Sequence, residues 1–263
     1  MRKIGISAGA YPGITYNEQL EIMSRLGFDV VFEASRADDE LKELAKAQEK
    51  YNMISEMLHA PFRGINKIWL DCIEGDEMLS RLKRAVDRCH IIGAGICVVH
   101  LSSGMNPPTI TDIGRGRFDR LVEHAASEGI KIAFENQRRL DNLAWAMERY
   151  TDDNVVGFCW DCGHENCFTP GREYMPLFGN RMICNHIHDN SGIFNSDDHM
   201  IPFDGTIDYQ KVAEHIRKSG YTGTLTLEIF SSHADIYNEI TVSEYYERAA
   251  TAANRLRDMV DCE

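Results

Sequence analysis

Long apolar runs are missing. None approaches the roughly 20 residues that span a bilayer, and Met1-Arg2-Lys3-Ile4-Gly5-Ile6-Ser7 leads into Gly, Tyr and Pro instead of a secretion-signal core. The cytoplasm is therefore the expected location, with no membrane partner. Basic charge is also short: 28 Lys and Arg against 41 Asp and Glu leave a net charge of −13, which opposes binding to nucleic-acid backbones and anionic membranes. No Pro/Ser/Gly-rich linker or low-complexity tract interrupts the chain, so residues 1–263 read as a single domain. Cysteines at 72, 89, 97, 159, 162, 167, 184 and 262 follow no repeating framework, which favours reduced thiols over disulfides. Cys159 and Cys162 form one C-x-x-C, without the second pair of a zinc ribbon and on a strand rather than at a helix start, so both are expected to be packing thiols.

What the chain does have is alternation. Short apolar runs at 3–8, 28–33, 54–59, 96–101, 130–135, 155–161, 182–188 and 224–229 read as strands. Helical spacing recurs between them at 16–26, 38–51, 77–92, 118–127, 142–150, 209–218 and 242–260, with a short, weakly patterned connection at 174–178. Eight strands with eight connections imply a parallel sheet covered by helices and closed into a (β/α)8 TIM barrel. A doubly wound open sheet is the alternative. Against it, no Gly-rich phosphate loop follows the first strand, and polar residues close nearly every strand instead of gathering at one crevice.

Those closing residues are the candidate site, because function in such barrels collects where the strands end. They are Glu33, His59, His100, Glu135, Asp161 with His164, His186 and His188, and Glu228, joined by Asp197, Asp198 and His199 from the loop after the seventh strand. An aspartate on the inner face of an apolar strand is costly unless it is paired or bound to a metal. Carboxylates and imidazoles converging on one rim would repel or stay desolvated without a cation, whereas a divalent metal takes such ligands readily. Glu135, Asp161, His188 and Glu228, from four consecutive strands, are the expected ligands of one ion. Three carboxylates and one imidazole suit manganese, magnesium or cobalt, with zinc also compatible. His186 shares the face of His188 two residues deeper, which fits either a supporting or a core role.

Phe134-Glu135-Asn136, Trp160-Asp161-Cys162-Gly163-His164, His186-Ile187-His188-Asp189 and Leu227-Glu228-Ile229-Phe230 resemble the motifs of the xylose-isomerase-like barrel superfamily, over almost the whole chain. That group holds keto-sugar epimerases, inosose dehydratases and isomerases, hydroxypyruvate isomerases and the endonuclease IV nucleases. Resemblance to the epimerases implies that Glu135 and Glu228 are both ligands and the acid/base pair of an enediolate reaction on a small sugar or sugar derivative. It also implies that His164 hydrogen-bonds a substrate oxygen, and His59, His100 and His199 are expected on the substrate side. Relatives that pair imply a homodimer or tetramer. One departure stands out: Phe194 occupies the place, six residues after the metal histidine, where those epimerases carry arginine. Endonuclease IV is the rival, since its nine ligands for three zinc ions match His59, His100, Glu135, Asp161, His164, His188, Asp197, His199 and Glu228. Lyase chemistry of the inosose dehydratase type and plain sugar binding also stay open. Arg63, Lys67, Arg115, Arg117, Arg138, Arg139 and Arg172 fall in predicted strand-to-helix loops, as a solvated rim or as recognition of an anionic small molecule.

Overall fold

Eight short strands lie parallel, side by side: β1 (Ile4–Ser7), β2 (Val30–Ala34), β3 (Met57–His59), β4 (Ile96–His100), β5 (Lys131–Glu135), β6 (Val156–Asp161), β7 (Met182–His186) and β8 (Leu225–Leu227). Their order in this computed structural model, which describes residues 1–151 and 154–261, is β7-β6-β5-β4-β3-β2-β1-β8. Just past β7, two hydrogen bonds join the ends of that row: Ile187 N donates to Thr226 O at 2.9 Å, and Glu228 N to Ile187 O at 3.0 Å. The buried Asn185 amide extends the seam, giving a hydrogen bond to Thr224 O and taking one from Thr226 N. The result is a nearly closed (β/α)8 TIM barrel.

Helices α1 (Tyr16–Arg25), α2 (Asp38–Tyr51), α3 (Ile73–Ile92), α4 (Asp112–Glu128), α5 (Leu140–Arg149), α6 (Cys162–Phe168), α7 (Met175–Phe178), α8 (Tyr209–Ser219) and α9 (Val242–Asp261) connect and cover the strands. Residues alternate between the two sides of each strand. On β6, Phe158 and Trp160 therefore join the large core between sheet and helices, while Cys159 joins Phe32, Met57, Val98, Ala133 and Cys184 in a separate buried cluster. The seven cysteines among the described residues are free thiols; Cys262 lies outside them. Among the described residues no helix is long and apolar enough to cross a membrane.

Two elements bear on the site by differing from their sequence patterns. α4 begins at Asp112, six residues before the periodic run, because Thr111 caps it by accepting a hydrogen bond from Gly114 N. Gly114 and Gly116 weaken the helical signal there, yet Gly114 is required for space, since a Cβ would overlap the Trp69 indole. Arg115 and Arg117 consequently belong to a helix, not to a rim loop. Arg117 is buried, and its guanidinium donates to the carbonyls of Ile68, Leu70 and Cys72 and to Asp76. Arg117→Met should lower unfolding free energy by about 3 kcal/mol, read from urea melts, because three carbonyls lose a charged donor.

The second difference is α6. The strand end at Asp161 runs straight into a helix that Asp161 itself caps, its Oδ1 accepting from His164 N at 2.6 Å. Gly163 lies within this helix, where the missing side chain leaves room for the His188 imidazole.

Candidate metal centre

Glu135, at the end of β5, is the hub of the strand-end residues. Its Oε2 lies 2.9 Å from His100 Nε2 and 3.2 Å from His59 Nε2, while Oε1 lies 3.1 Å from His164 Nδ1 and 3.4 Å from His186 Nδ1. Four imidazoles from β3, β4, α6 and β7 thus face one buried carboxylate. Asp161 is placed by Asn136, whose amide exchanges two 2.8 Å hydrogen bonds with the Asp161 backbone. Its carboxylate meets His188 Nε2 at 3.1 Å. Glu228, one residue past β8, lies 3.2 Å from His186 Nδ1 through Oε2, and its carbonyl oxygen is 2.8 Å from His199 Nδ1. Asp197 completes the array, 3.2 Å from His164 Nε2 and 3.3 Å from His199 Nε2.

These contacts resolve into three adjoining groups, within each of which the ligand atoms lie no more than 4.8 Å apart: Glu135, Asp161, His186 and Glu228; His59, Glu135 and His186; and His164, His188, Asp197 and His199. Glu135, Asp161 and Glu228, read from the sequence as ligands of one ion, fall in the same group. His188 falls in the neighbouring one and joins them through Asp161. His186 is no remote core residue: it stands between Glu135 and Glu228. His59 and His100 converge on Glu135 from the other side.

The donor set fits a divalent cation. Glu135 Oε1, both ring nitrogens of His186, His100 Nδ1 and Asp197 Oδ1 are buried without a well-formed hydrogen bond, a state that is costly unless something positive is bound among them. The titration behaviour has the same origin. Burial would raise the Glu135 carboxyl, but the charges of His100 and His186 outweigh it and hold it well below the usual range. Burial likewise opposes ionisation of Asp197 and is overcome by His164 and His199. In turn burial, which would discharge His186 and His199, yields to the neighbouring acids: Glu228 and Glu135 push His186 up to about 10, and Asp197 pushes His199 up to about 9. His164 is raised well above its ordinary value against the same opposition from burial, by Asp161 and Asp197. The upward shifts of His164, His186 and His199 favour the positive charge that a metal would otherwise bring, whereas burial lowers His100.

Above this cluster is a cavity of about 260 Å³, whose wall includes His59, His100, Glu135, His164, His199 and Glu228. Gln137, which sequence reading passed over, sets its floor with Nε2 at 3.0 Å from His164 Nδ1 and 3.3 Å from His100 Nε2. Its signal was available as the polar run Glu135-Asn136-Gln137 closing an apolar strand. Phe62 stacks on His100 and Phe168 on His164, with centroids 4.6 Å apart in both pairs. Glu33 does not line this cavity; it accepts from Tyr16 Oη at 2.8 Å and pairs with Arg36. Asp198 accepts from Ser191 and Ser196 within its own loop. That loop carries Asn195, His199 and Phe203 at positive φ. Buried Asp189 holds it by accepting from the backbone N–H groups of Asn190, Phe203 and Ile207. Left-handed backbone at non-glycine residues costs energy and persists where surrounding contacts impose it.

A parallel barrel with buried acids and imidazoles crowded on one rim defines a class of TIM barrels built around that rim. The chain belongs to the xylose isomerase-like TIM barrel family, whose model matches residues 20–258. Among related proteins, y4fM of Sinorhizobium fredii is 31% identical over 229 residues, spanning 80% of this chain and 71% of that one. Two solved structures share the fold at 16% identity, over 99% of this chain and 100% of each of theirs. They are D-psicose 3-epimerase with D-tagatose from Clostridium cellulolyticum H10, at a TM-score of 0.78, and the IOLI protein with a bound zinc atom, at 0.79.

Proposed function

We propose that this chain is a divalent-metal-dependent isomerase or epimerase of a small sugar or sugar derivative, acting by proton transfer through an enediolate. What supports this reading is the convergence of two carboxylates: one oxygen each of Glu135 and Glu228 lie within 4.8 Å, in a group with Asp161 and His186, beneath a cavity of small-ligand size. That a D-psicose 3-epimerase shares the fold agrees with it.

Glu135, Asp161, His188 and Glu228 would hold the ion, of manganese, magnesium, cobalt or zinc. Such an ion supplies Lewis-acid polarisation of a substrate carbonyl and charge stabilisation for the enediolate. Glu135 and Glu228 approach the cavity from β5 and β8. One takes the proton from the carbon beside the carbonyl, and the other returns one, an epimer resulting when the two act on opposite faces. His164, fixed by Asp161, Asp197 and Gln137, orients a substrate oxygen, while His59, His100 and His199 line the remaining wall. Phe194 is exposed and brings no cation to the position where the epimerases carry arginine.

One observation favours a second reading. Ligand groups continue on both sides of the central one, with His59 and His100 on Glu135 and with His164, Asp197 and His199 beyond it. Up to three zinc ions and phosphodiester hydrolysis would use that full set. Metal analysis of protein purified without chelator separates the two: about one ion per chain fits the sugar reading, about three zincs the hydrolase. Incubation in deuterated water with a panel of ketoses and keto-inositols then tests the chemistry by NMR. Wash-in at carbon beside the carbonyl is expected, accompanied by loss of water if the reaction is a dehydration. No wash-in with any of them would sink the enediolate mechanism.

A further inference from the structure

We propose that the substrate carries an anionic group, a phosphate or a carboxylate, and that Arg138 holds it at the mouth of the cavity; this rests on the sugar reading above. Arg138 lies three residues past Glu135, and among the described residues it is the lone lysine or arginine lining that cavity. Its guanidinium is prepositioned. It stacks on the Phe168 ring, 3.5 Å from the centroid, and Nε donates to Asn195 Oδ1 at 2.9 Å, an oxygen that Nη2 also reaches.

This arginine has no carboxylate of its own. In a chain of net charge −13, Arg36, Arg88, Arg117, Arg139, Arg149 and Arg248 each lie against an acid, and other arginines that do not, such as Arg63, Arg81 and Arg181, lie away from this cavity. Among the described residues Arg138 has no acid within 4.0 Å, and its Nη1 makes no hydrogen bond. Asp197, the acid that faces it more distantly, is engaged by His164 and His199. A half-buried guanidinium without a counter-charge, open to a cavity, is suited to bidentate capture of a planar or tetrahedral anion.

The adjacent wall adds donors. Ser103 and Gly104 follow β4, the strand beside β5, and line the same cavity. Asn66 pins Ser103 by exchanging hydrogen bonds with its backbone, leaving a hydroxyl that bonds to none of the described residues. Glu135, Asp197 and Glu228 at the cavity floor are already engaged by imidazoles, which leaves Arg138 as the unengaged charge on the wall. The ligand is thereby oriented, its charged end toward Arg138 and its hydroxyl and carbonyl oxygens toward the cluster.

Calorimetric titration of inorganic phosphate and of gluconate into the manganese-loaded protein tests this. Arg138→Met should weaken at least one of the two by about tenfold or more, and Arg138→Lys should keep part of the affinity. Which anion responds identifies the group. Phosphate resting on the metal alone would be unmoved by Arg138→Met. Asn195→Gly, which tolerates the positive φ there, removes the tie to the loop but keeps the guanidinium, so it should weaken binding by less than Arg138→Met does. Equal affinities in wild type and Arg138→Met, or no binding of either anion at millimolar concentration, would each overturn the assignment. The outcomes separate from the parent reading. Arg138-dependent binding without deuterium wash-in removes the enediolate chemistry and keeps the anion site; wash-in with neutral ketoses alongside indifference to Arg138→Met does the reverse.

Discussion

Glu135→Gln should lower turnover by about 10³-fold or more, since a general base contributes on the order of 10²–10⁴, and the variant should also purify with less metal than wild type. Two losses coincide because Glu135 serves two of the three ligand groups and touches four imidazoles at once. A neutral amide removes one of the two carboxylate charges, with Glu228, that raise His186 against burial, and offers a weaker ligand to an ion. Glu228→Gln should behave differently, because Glu228 belongs to one group only. With one base gone and the other intact, product formation should fall by a similar factor while slow deuterium wash-in persists on the substrate epimer whose proton Glu135 takes. Turnover and metal content are measured on the same preparations. If both variants keep more than about a tenth of wild-type turnover, far above what loss of a catalytic base allows, the paired-carboxylate mechanism fails.

Much of the barrel was legible because its signal is redundant. Strands buried on both faces read as short apolar runs, and amphipathic helices between them leave little choice but a parallel, helix-covered sheet. Acids and imidazoles at the strand ends stood out for a related reason, a charged residue closing an apolar run being expensive unless used. Position along the strand was less legible than its face. Alternation puts His186 and His188 on one side, but β7 ends at His186, and the chain beyond it crosses toward β8 through Ile187. Counting by twos therefore could not say which imidazole would stand between Glu135 and Glu228. Arg117 and Arg138 show the limit for charges. Both come from the same basic scatter in the sequence, yet one is buried among three carbonyls inside a helix contact and the other faces a cavity. Which neighbours a guanidinium meets depends on tertiary packing that no local pattern encodes.

Gly163→Ala is expected to disable the site from a position that holds no ligand atom. The residue is helical, so alanine suits its backbone and a local-propensity argument predicts slight stabilisation. Packing predicts the opposite. A Cβ there would overlap the His188 imidazole, which is fully buried. The ring also stacks against His199, 4.1 Å between centroids, while contacting Asp161. Relief has to come from the ring, and its displacement breaks the Asp161 contact that links two ligand groups. Overpacking of this kind costs about 1–3 kcal/mol, and loss of metal affinity should reach about 100-fold, the upper range for residues that position ligands. Thermal melts with and without manganese read both effects. A double variant with His188→Ala identifies the cause: removing the ring should recover the stability lost to Gly163→Ala, a coupling expected only for side chains in contact, while leaving metal affinity low. Additive losses in the double variant would place the defect in α6 itself and not in the space that His188 occupies.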